Sequence, residues 1–468
     1  MPQFYMKSFA LVYCCIIFNM NGFTQALRQS PIPRDWLEKD PVKDSVAGIS
    51  LDKAYLLLKG KKSKTVIVAV IDNGVDIEHE DLKRVIWTNT REIPGNGIDD
   101  DHNGYTDDVH GWNFRGAADG AVIENEQSAA TQMVAAWQQQ FENAGNSKLT
   151  PAAKKSLAIY LRAKDEYIRK LNSKDVADTL FAYNINYHSD KLIAGHFAGI
   201  RDRYYGSPLV KLSANLTHGT HVAGIIAAIR NNGIGMNGIA DNVLIMPIVA
   251  TTAVGDERDK DVANAIRYAT DNGAQIISMS FSKTFSADKA MVDEAIVYAE
   301  AHHVLVVHCA GNDGVNIDSS YNYHYPVAEY ENGNRAGNFI TVGWNRPLFD
   351  YRLAHPYSNY GKMNVDLFAP GSDIYSTVPG NGYDLKSGSS MSAPVVTGVA
   401  ALLMSYFPQL SIQQVKAILI QSAYRPEQLV NRPQTKTPVP FNSLSASGGI
   451  VNAYRAVQLA IKIVTQKK

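Results

Sequence analysis

Cysteine is nearly absent from this chain: there are three in 468 residues, and two of them, Cys14 and Cys15, fall within the first fifteen positions. Only Cys309 lies beyond that segment, so a chain cut after it can form no intrachain disulfide and must be held by its core, with metal ions as the other available support. A surplus of charge is missing too. Lys+Arg 45 and Asp+Glu 45 cancel, which removes any bulk attraction to nucleic acid or to an anionic membrane. Nor is there an HExxH zinc signature or a complete phosphate loop, because Gly60-Lys61-Lys62 lacks both the spaced upstream glycine and the following Ser or Thr. What is present is enough apolar sequence, 45%, to bury a large core, which excludes a disordered or fibrous chain.

The N-terminus carries Lys7, an apolar stretch from Phe9 to Phe18, and small residues at Thr24 and Ala26. That is the pattern of a secretory signal peptide over residues 1–26, too short to span a bilayer, and Tyr13 before Cys14 argues against a lipid-anchor cut. The expectation is a secreted or periplasmic protein with no integral membrane span after cleavage. Residues 27–60 are polar with isolated anchors such as Trp36, Leu51 and Tyr55, and read as a wrapping segment or short pro-region.

From Thr65 to Asp72 the run TVIVAVID is β-branched and apolar, as for a strand covered on both faces of a parallel sheet. Further strands are expected at Val243–Ala250, Ala274–Phe281, Val304–Ala310, Phe339–Trp344 and Val365–Phe368. Helices are expected at Val262–Thr270, Lys289–Ala301 and Ser411–Ser422. The alternation predicts an α/β fold with a doubly wound, mostly parallel sheet and helices on both faces. A helical insertion, about 120–200, interrupts it, with helical spacing in MVAAWQQQF and LAIYLRAKDEYIRKL.

Four residues stand where such a sheet collects its sites. Asp72 ends a strand, His218 opens the apolar helix pattern THGTHVAGIIAAIRNN, Asn312 follows a strand in CAGND, and Ser390 stands at the head of SGSSMSAPVVTGVAALLM. Val395, Val399 and Leu402 give that last stretch its helical period, and Pro394 is expected to be tolerated in the early turn where N–H groups lack partners. Each residue has a plain structural alternative. Asp72 can make an Asx turn with Asn73 and Gly74, Ser390 can be part of a GSS helix cap, and a lone His is usually structural. Together they supply acyl transfer: a hydroxyl needs an imidazole to take its proton, and the imidazole needs a carboxylate to hold its tautomer. His221, three residues after His218, raises zinc, but the general base of HExxH is missing. Gly233, Gly235 and Gly238 match GxGxxG but follow a helix and precede a strand, the reverse of a dinucleotide turn.

The chain order Asp, His, Ser, with VIDNGVDIEHEDL, HGTHVAG, AGN and GSSMSAP, resembles the subtilase family of serine endopeptidases from about Ser50 onward. The resemblance implies a peptidase domain over 61–468 that cleaves polypeptide substrates through an acyl-enzyme. It casts Asp72 as the orienting carboxylate, His218 as base and then acid, Ser390 as nucleophile and Asn312 as oxyanion donor. It places Ser280, Phe281, Ser282 and Gly311 along the bound peptide. Two departures are Ser389, where the family favours threonine, and Ser282 with a side chain where glycine is usual. A silent peptide-binding protein and an esterase are the rival classes; the latter lacks the last glycine of GxSxG. For calcium, DDDHNGYTDD offers Asp99, Asp101, Asn103 and Asp107 as hard oxygen ligands, although His110 stands where a closing Glu would be. The family resemblance adds Asp81 with Asn231 and Asn232, completed by backbone oxygens of Ile234 and Met236.

Overall fold

The apolar runs form strands that need cover on both faces, and the chain provides it. In the computed structural model the described residues are 32–466 except 118, 143–149, 173–179, 188–201, 212–214, 253, 320–321 and 323. The segment read as a signal peptide lies outside them. Within the unit Arg34–Lys468, seven strands make one sheet: β1 (Val66–Asp72), β2 (Trp112–Asn113), β3 (Val243–Val249), β4 (Ile276–Met279), β5 (Leu305–Cys309), β6 (Phe339–Asn345) and β7 (Leu367–Pro370). The order is β2-β3-β1-β4-β5-β6-β7 and every pairing is parallel, with Asp72 opposite Val249 in register. All strand carboxyl ends therefore share one edge, where an α/β sheet gathers its ligands.

Side chains alternate across the sheet as pleating requires. Ala69 and Ile71 of β1 and Met246 and Ile248 of β3 share a core with helices α5 (Asp259–Asp271) and α6 (Lys289–Ala301). The opposite face is covered by α4 (Thr217–Ala227) and α7 (Ser389–Tyr406), which also pack on each other. Helix α7 is apolar all round and buried nearly throughout, as a helix sandwiched between a sheet and other helices must be. Among the described residues it is the one helix long and apolar enough to cross a membrane, yet it is 83% buried in the core. Helices α1 (Leu51–Leu58) and α9 (Ala453–Gln466) pack together, and α8 (Ile412–Gln421) begins with a capping box at Ser411 and Gln414. Ahead of α1, Trp36 is buried and its indole donates to Ser372 O at 3.1 Å.

The insertion contributes α2 (Ala129–Glu142) and α3 (Pro151–Leu171), packed around Met133, Tyr160 and Phe285. Two expectations change and one element is new. The His218 helix ends at Ala227 rather than running to Asn232, because Ala228 turns extended and its carbonyl accepts the Gly238 amide. The glycine run is thus a surface loop. A hairpin of β8 (Ile374–Val378) and β9 (Gly382–Lys386), unpredicted from sequence, lies across α4. Finally, Pro394 sits past the first turn of α7, which starts at Ser389, so it removes the N–H that would otherwise bond the Ser390 carbonyl.

Helix α7 approaches its neighbours through glycine. A Cβ on Gly398 would stand 2.6 Å from Ile239 Cβ, a contact that only backbone shift can relieve. Gly398→Ala is expected to destabilise the protein by about 1–3 kcal/mol through overpacking, read as a lower urea midpoint with unchanged slope; an unchanged midpoint would refute the close contact.

Candidate active site

Asp72 closes β1 and is buried, with its side chain turned along the sheet edge to His218 in the first turn of α4. The His218 Nδ1–H donates to Asp72 Oδ1 at 2.8 Å and Oδ2 at 3.0 Å. Asp72 Oδ1 also accepts the Asn73 amide at 2.8 Å, so the Asx interaction and the histidine contact coexist. Asn73 fixes the helix in turn: its Oδ1 accepts the Gly219 amide at 3.0 Å, and its Nδ2 donates to Asn215 O at 2.6 Å. Only glycine fits after the histidine, since a Cβ at 219 would lie 2.2 Å from Gly74 O. Partial desolvation alone would depress the imidazole, but the charge and hydrogen bond of Asp72 outweigh it and raise the His218 pKa above its ordinary value.

His221 does a different job. It is buried, its Nε2–H donates to Ile374 O at 3.0 Å and Asp384 O at 3.2 Å, and burial lowers its pKa to about 4. It stays neutral and ties the β8–β9 hairpin to α4, with Ser376 and Thr377 donating back to the carbonyls of His221 and Thr220. This is a structural histidine.

At the head of α7 the N-cap is Gly388, at φ 149°, and it makes no side-chain cap bond. Ser390 is therefore the second helical residue, not the cap. Its hydroxyl donates to Ser280 O at 2.8 Å. Ser389 holds Asn312: its N–H and its hydroxyl both donate to Asn312 Oδ1, at 2.9 and 3.0 Å. An oxygen fixed by two donors leaves the Asn312 Nδ2 as the free donor. The Ser389 hydroxyl also accepts the Gly311 amide at 3.2 Å, so the departure from threonine keeps a working hydroxyl. One open cleft of about 370 Å³ is lined by Asp72, His218, Ser280, Ser282, Asn312 and Ser390, with Phe281 beside them. Gly311 lies at φ +97° directly before Asn312. Cys309 is free and buried, and burial pushes its thiol up to about 12; it is no competing nucleophile.

The acidic loop does not converge as expected. Asp107 turns to the amides of Gly95, Asn96 and Gly97, and Asn103 Oδ1 accepts the Tyr105 amide. Backbone amides in tight turns donate to these oxygens, as they do to those of Glu92, Asp99 and Asp101. The carboxylates that approach each other, within 4.8 Å, are those of Glu92, Asp99 and Asp101, and Glu92 was not foreseen. Arg91 lies 2.7 Å from Asp101 and offsets one charge. Asp81 and Asn232 do meet, as hydrogen-bond partners at 2.6 Å, while Tyr383 donates to the other Asp81 oxygen at 3.2 Å.

Fold and site together define a class: a parallel α/β sheet with an Asp-His pair, a helix-borne serine and a carboxamide along its carboxyl edge. The chain belongs to the subtilase family, whose sequence model matches residues 63–448. A thermophilic serine proteinase of Bacillus sp. (strain AK1) is 40% identical over 188 residues, 40% of this chain and 42% of that protein. Alkaline elastase YaB of Bacillus sp. (strain YaB) is 36% identical over 239 residues, 51% of this chain and 57% of that protein. The chain spans about half the length of these relatives. A solved structure of proteases from Pseudoalteromonas arctica aligns with a TM-score of 0.51 at 23% identity, over 92% of this chain and 98% of that one, and supports the fold.

Because Asp72 raises the imidazole, Asp72→Asn is expected to lower the His218 pKa, through loss of the charge and of the hydrogen bond, in an NMR titration of the ring protons. An unmoved titration would exclude the pairing.

Proposed function

We propose that this protein is an exported serine endopeptidase that hydrolyses polypeptides through an acyl-enzyme. The observation carrying the reading is the Asp72–His218 hydrogen bond in the same cleft as Ser390 and Asn312. With Nδ1–H held by Asp72, the lone pair of the neutral ring is on Nε2, the nitrogen a general base uses. Substrate binding moves the Ser390 hydroxyl from Ser280 O to that nitrogen. Ser390 Oγ then attacks the scissile carbonyl as His218 takes its proton, and His218 returns the proton to the leaving amine. Water, deprotonated by the same ring, releases the acid and restores Ser390. Asn312 Nδ2 and the Ser390 N–H stabilise the oxyanion, aided by the positive N-terminal end of α7. Residues 1–26 supply the export signal in this reading.

The raised His218 pKa sets the pH dependence. Catalysis needs the neutral ring, so kcat/KM rises as pH climbs through the His218 pKa and is low below it. Ser390→Ala is expected to abolish fluorophosphonate labelling and casein cleavage together; persistent labelling at the same site would sink the assignment. Asn312→Ala is expected to lower kcat by about 10²–10³ with little change in KM, a magnitude taken from a subtilisin, a member of this same family.

Calcium belongs to the same proposal. The Glu92, Asp99 and Asp101 carboxylates form a hard-oxygen set with one cationic neighbour, which suits a structural calcium ion. EDTA is expected to lower the melting temperature and added calcium to restore it; identical transitions in chelated and calcium-saturated buffer would refute it.

A further inference from the structure

Beyond β3 the chain runs along the cleft through Thr251, Thr252, Gly255, Asp256 and Glu257 before α5 begins. Three carboxylates cluster here, Asp256, Glu257 and Asp259, and of the two cations nearby one, Lys283, bonds Asp259 and a backbone carbonyl, and the other, Arg258, bonds Glu126. Lys283 is buried, pairs with Asp259 Oδ1 at 2.9 Å and donates to the backbone carbonyl of Glu257 at 2.7 Å. Arg258 turns away to Glu126 Oε2 at 2.7 Å, in a buried network with Arg115 and Asp261. Asp259 is further satisfied by the Ser286 hydroxyl and the Asp288 amide, and Asp256 Oδ2 accepts the Ala129 amide at the start of α2.

Glu257 is the exception. It is 5% exposed, lines the cleft, and its Oε1 has no hydrogen-bond partner among the described residues. A buried carboxylate oxygen left without a donor is costly unless something arrives to satisfy it. Burial raises its pKa; Lys283 opposes this, and Asp256 adds to it, so an incoming cation would relieve both penalties.

We propose that Glu257, with Asp256 beside it, forms a subsite for a cationic side chain, arginine or lysine, of the polypeptide substrate on the acyl side of the scissile bond. The proposal rests on the peptidase reading. The side follows from the chain: Ser280–Ser282, expected to flank the substrate residues before the scissile bond, leads directly into Lys283, whose ammonium donates to the Glu257 backbone carbonyl. The planar guanidinium, with several donors, suits an unpartnered carboxylate edge better than a neutral chain does.

The test is a positional fluorogenic peptide library read as kcat/KM for arginine against norleucine at each acyl-side position, with active sites counted by fluorophosphonate titration. Wild type is expected to prefer arginine at least tenfold at one position, the effect of a charged hydrogen bond. Glu257→Gln should bring that ratio towards one, Asp256→Asn should lower it in part, and Glu257→Asp should keep part of it. A flat ratio in active wild type, or a ratio unmoved in Glu257→Gln and Asp256→Asn alike, overturns the subsite. An inactive wild type instead sinks the peptidase reading. For that case calorimetry on Ser390→Ala compares an arginine peptide with its norleucine counterpart: tighter binding of the arginine peptide supports the subsite, and equal affinities overturn it.

Discussion

The burial of α7 against the carboxyl half of the parallel sheet is the constraint on which the cleft depends. An apolar helix with almost no solvent face has one low-energy position, because any rotation or slide would pull Val395, Val399 and Leu402 out of contact or drive Gly398 into Ile239. Ser390 inherits that rigidity. Its first-turn position puts its hydroxyl at the cleft while the helix behind it stays in the core. The same turn carries Ser389, whose two donors set the orientation of Asn312. One packed element thus places two of the groups that catalysis in the proposed mechanism requires, and preorganisation of this kind is what makes electrostatic stabilisation effective.

The second anchor is electrostatic. Asp72 is buried at a strand end, where an uncompensated carboxylate is costly, and it is satisfied by the Asn73 amide and by His218. Asn73 locks the start of α4 through the Gly219 amide, so the carboxylate and imidazole are held by separate hydrogen bonds from one dipeptide. His221, one turn later, is buried and pins the β8–β9 hairpin. The two histidines of HGTH therefore divide along the helix: one titrates at the cleft, and one is kept neutral in the core.

Much of this was legible in the sequence, for a physical reason. Strands buried on both faces must be continuous apolar runs, so β1, β3 and β5 announce themselves, and residues at their carboxyl ends become site candidates without any contact being known. The β8–β9 hairpin was not legible because Gly382–Lys386 is short and partly exposed, with no apolar period to read. In the acidic loop, spacing shows which oxygens are available but not which backbone amides donate to them: Asp107 accepts from Gly95–Gly97, and Glu92, outside the run, comes to Asp99 and Asp101. Pro394 lies deeper in the helix than expected because the apolar period shows that a helix is present but not where it starts, and α7 begins at Ser389.

Asp256 and Glu257 stayed hidden for a different reason. In GDERDKD they look like a solvated charged run, and only tertiary contact makes them a cleft wall. That contact comes from the insertion. Glu126 donates its amide to Val254 O, Asp256 donates its own to Gln127 O, and the Gln132 amide side chain reaches Asp256 O. Ala129, the first residue of α2, caps the Asp256 carboxylate from 127 positions away in sequence. Gly255 is required there, since a Cβ would stand 1.9 Å from Glu126 O. Residues 126–132 thus run beside the wall and fix its backbone. Meanwhile Glu126 draws Arg258 away from the cleft, which leaves Glu257 without its sequence-adjacent cation. The helical insertion is in this sense part of the cleft: Glu126 binds Arg258, and the Glu257 Oε1 is left without a hydrogen-bond donor among the described residues.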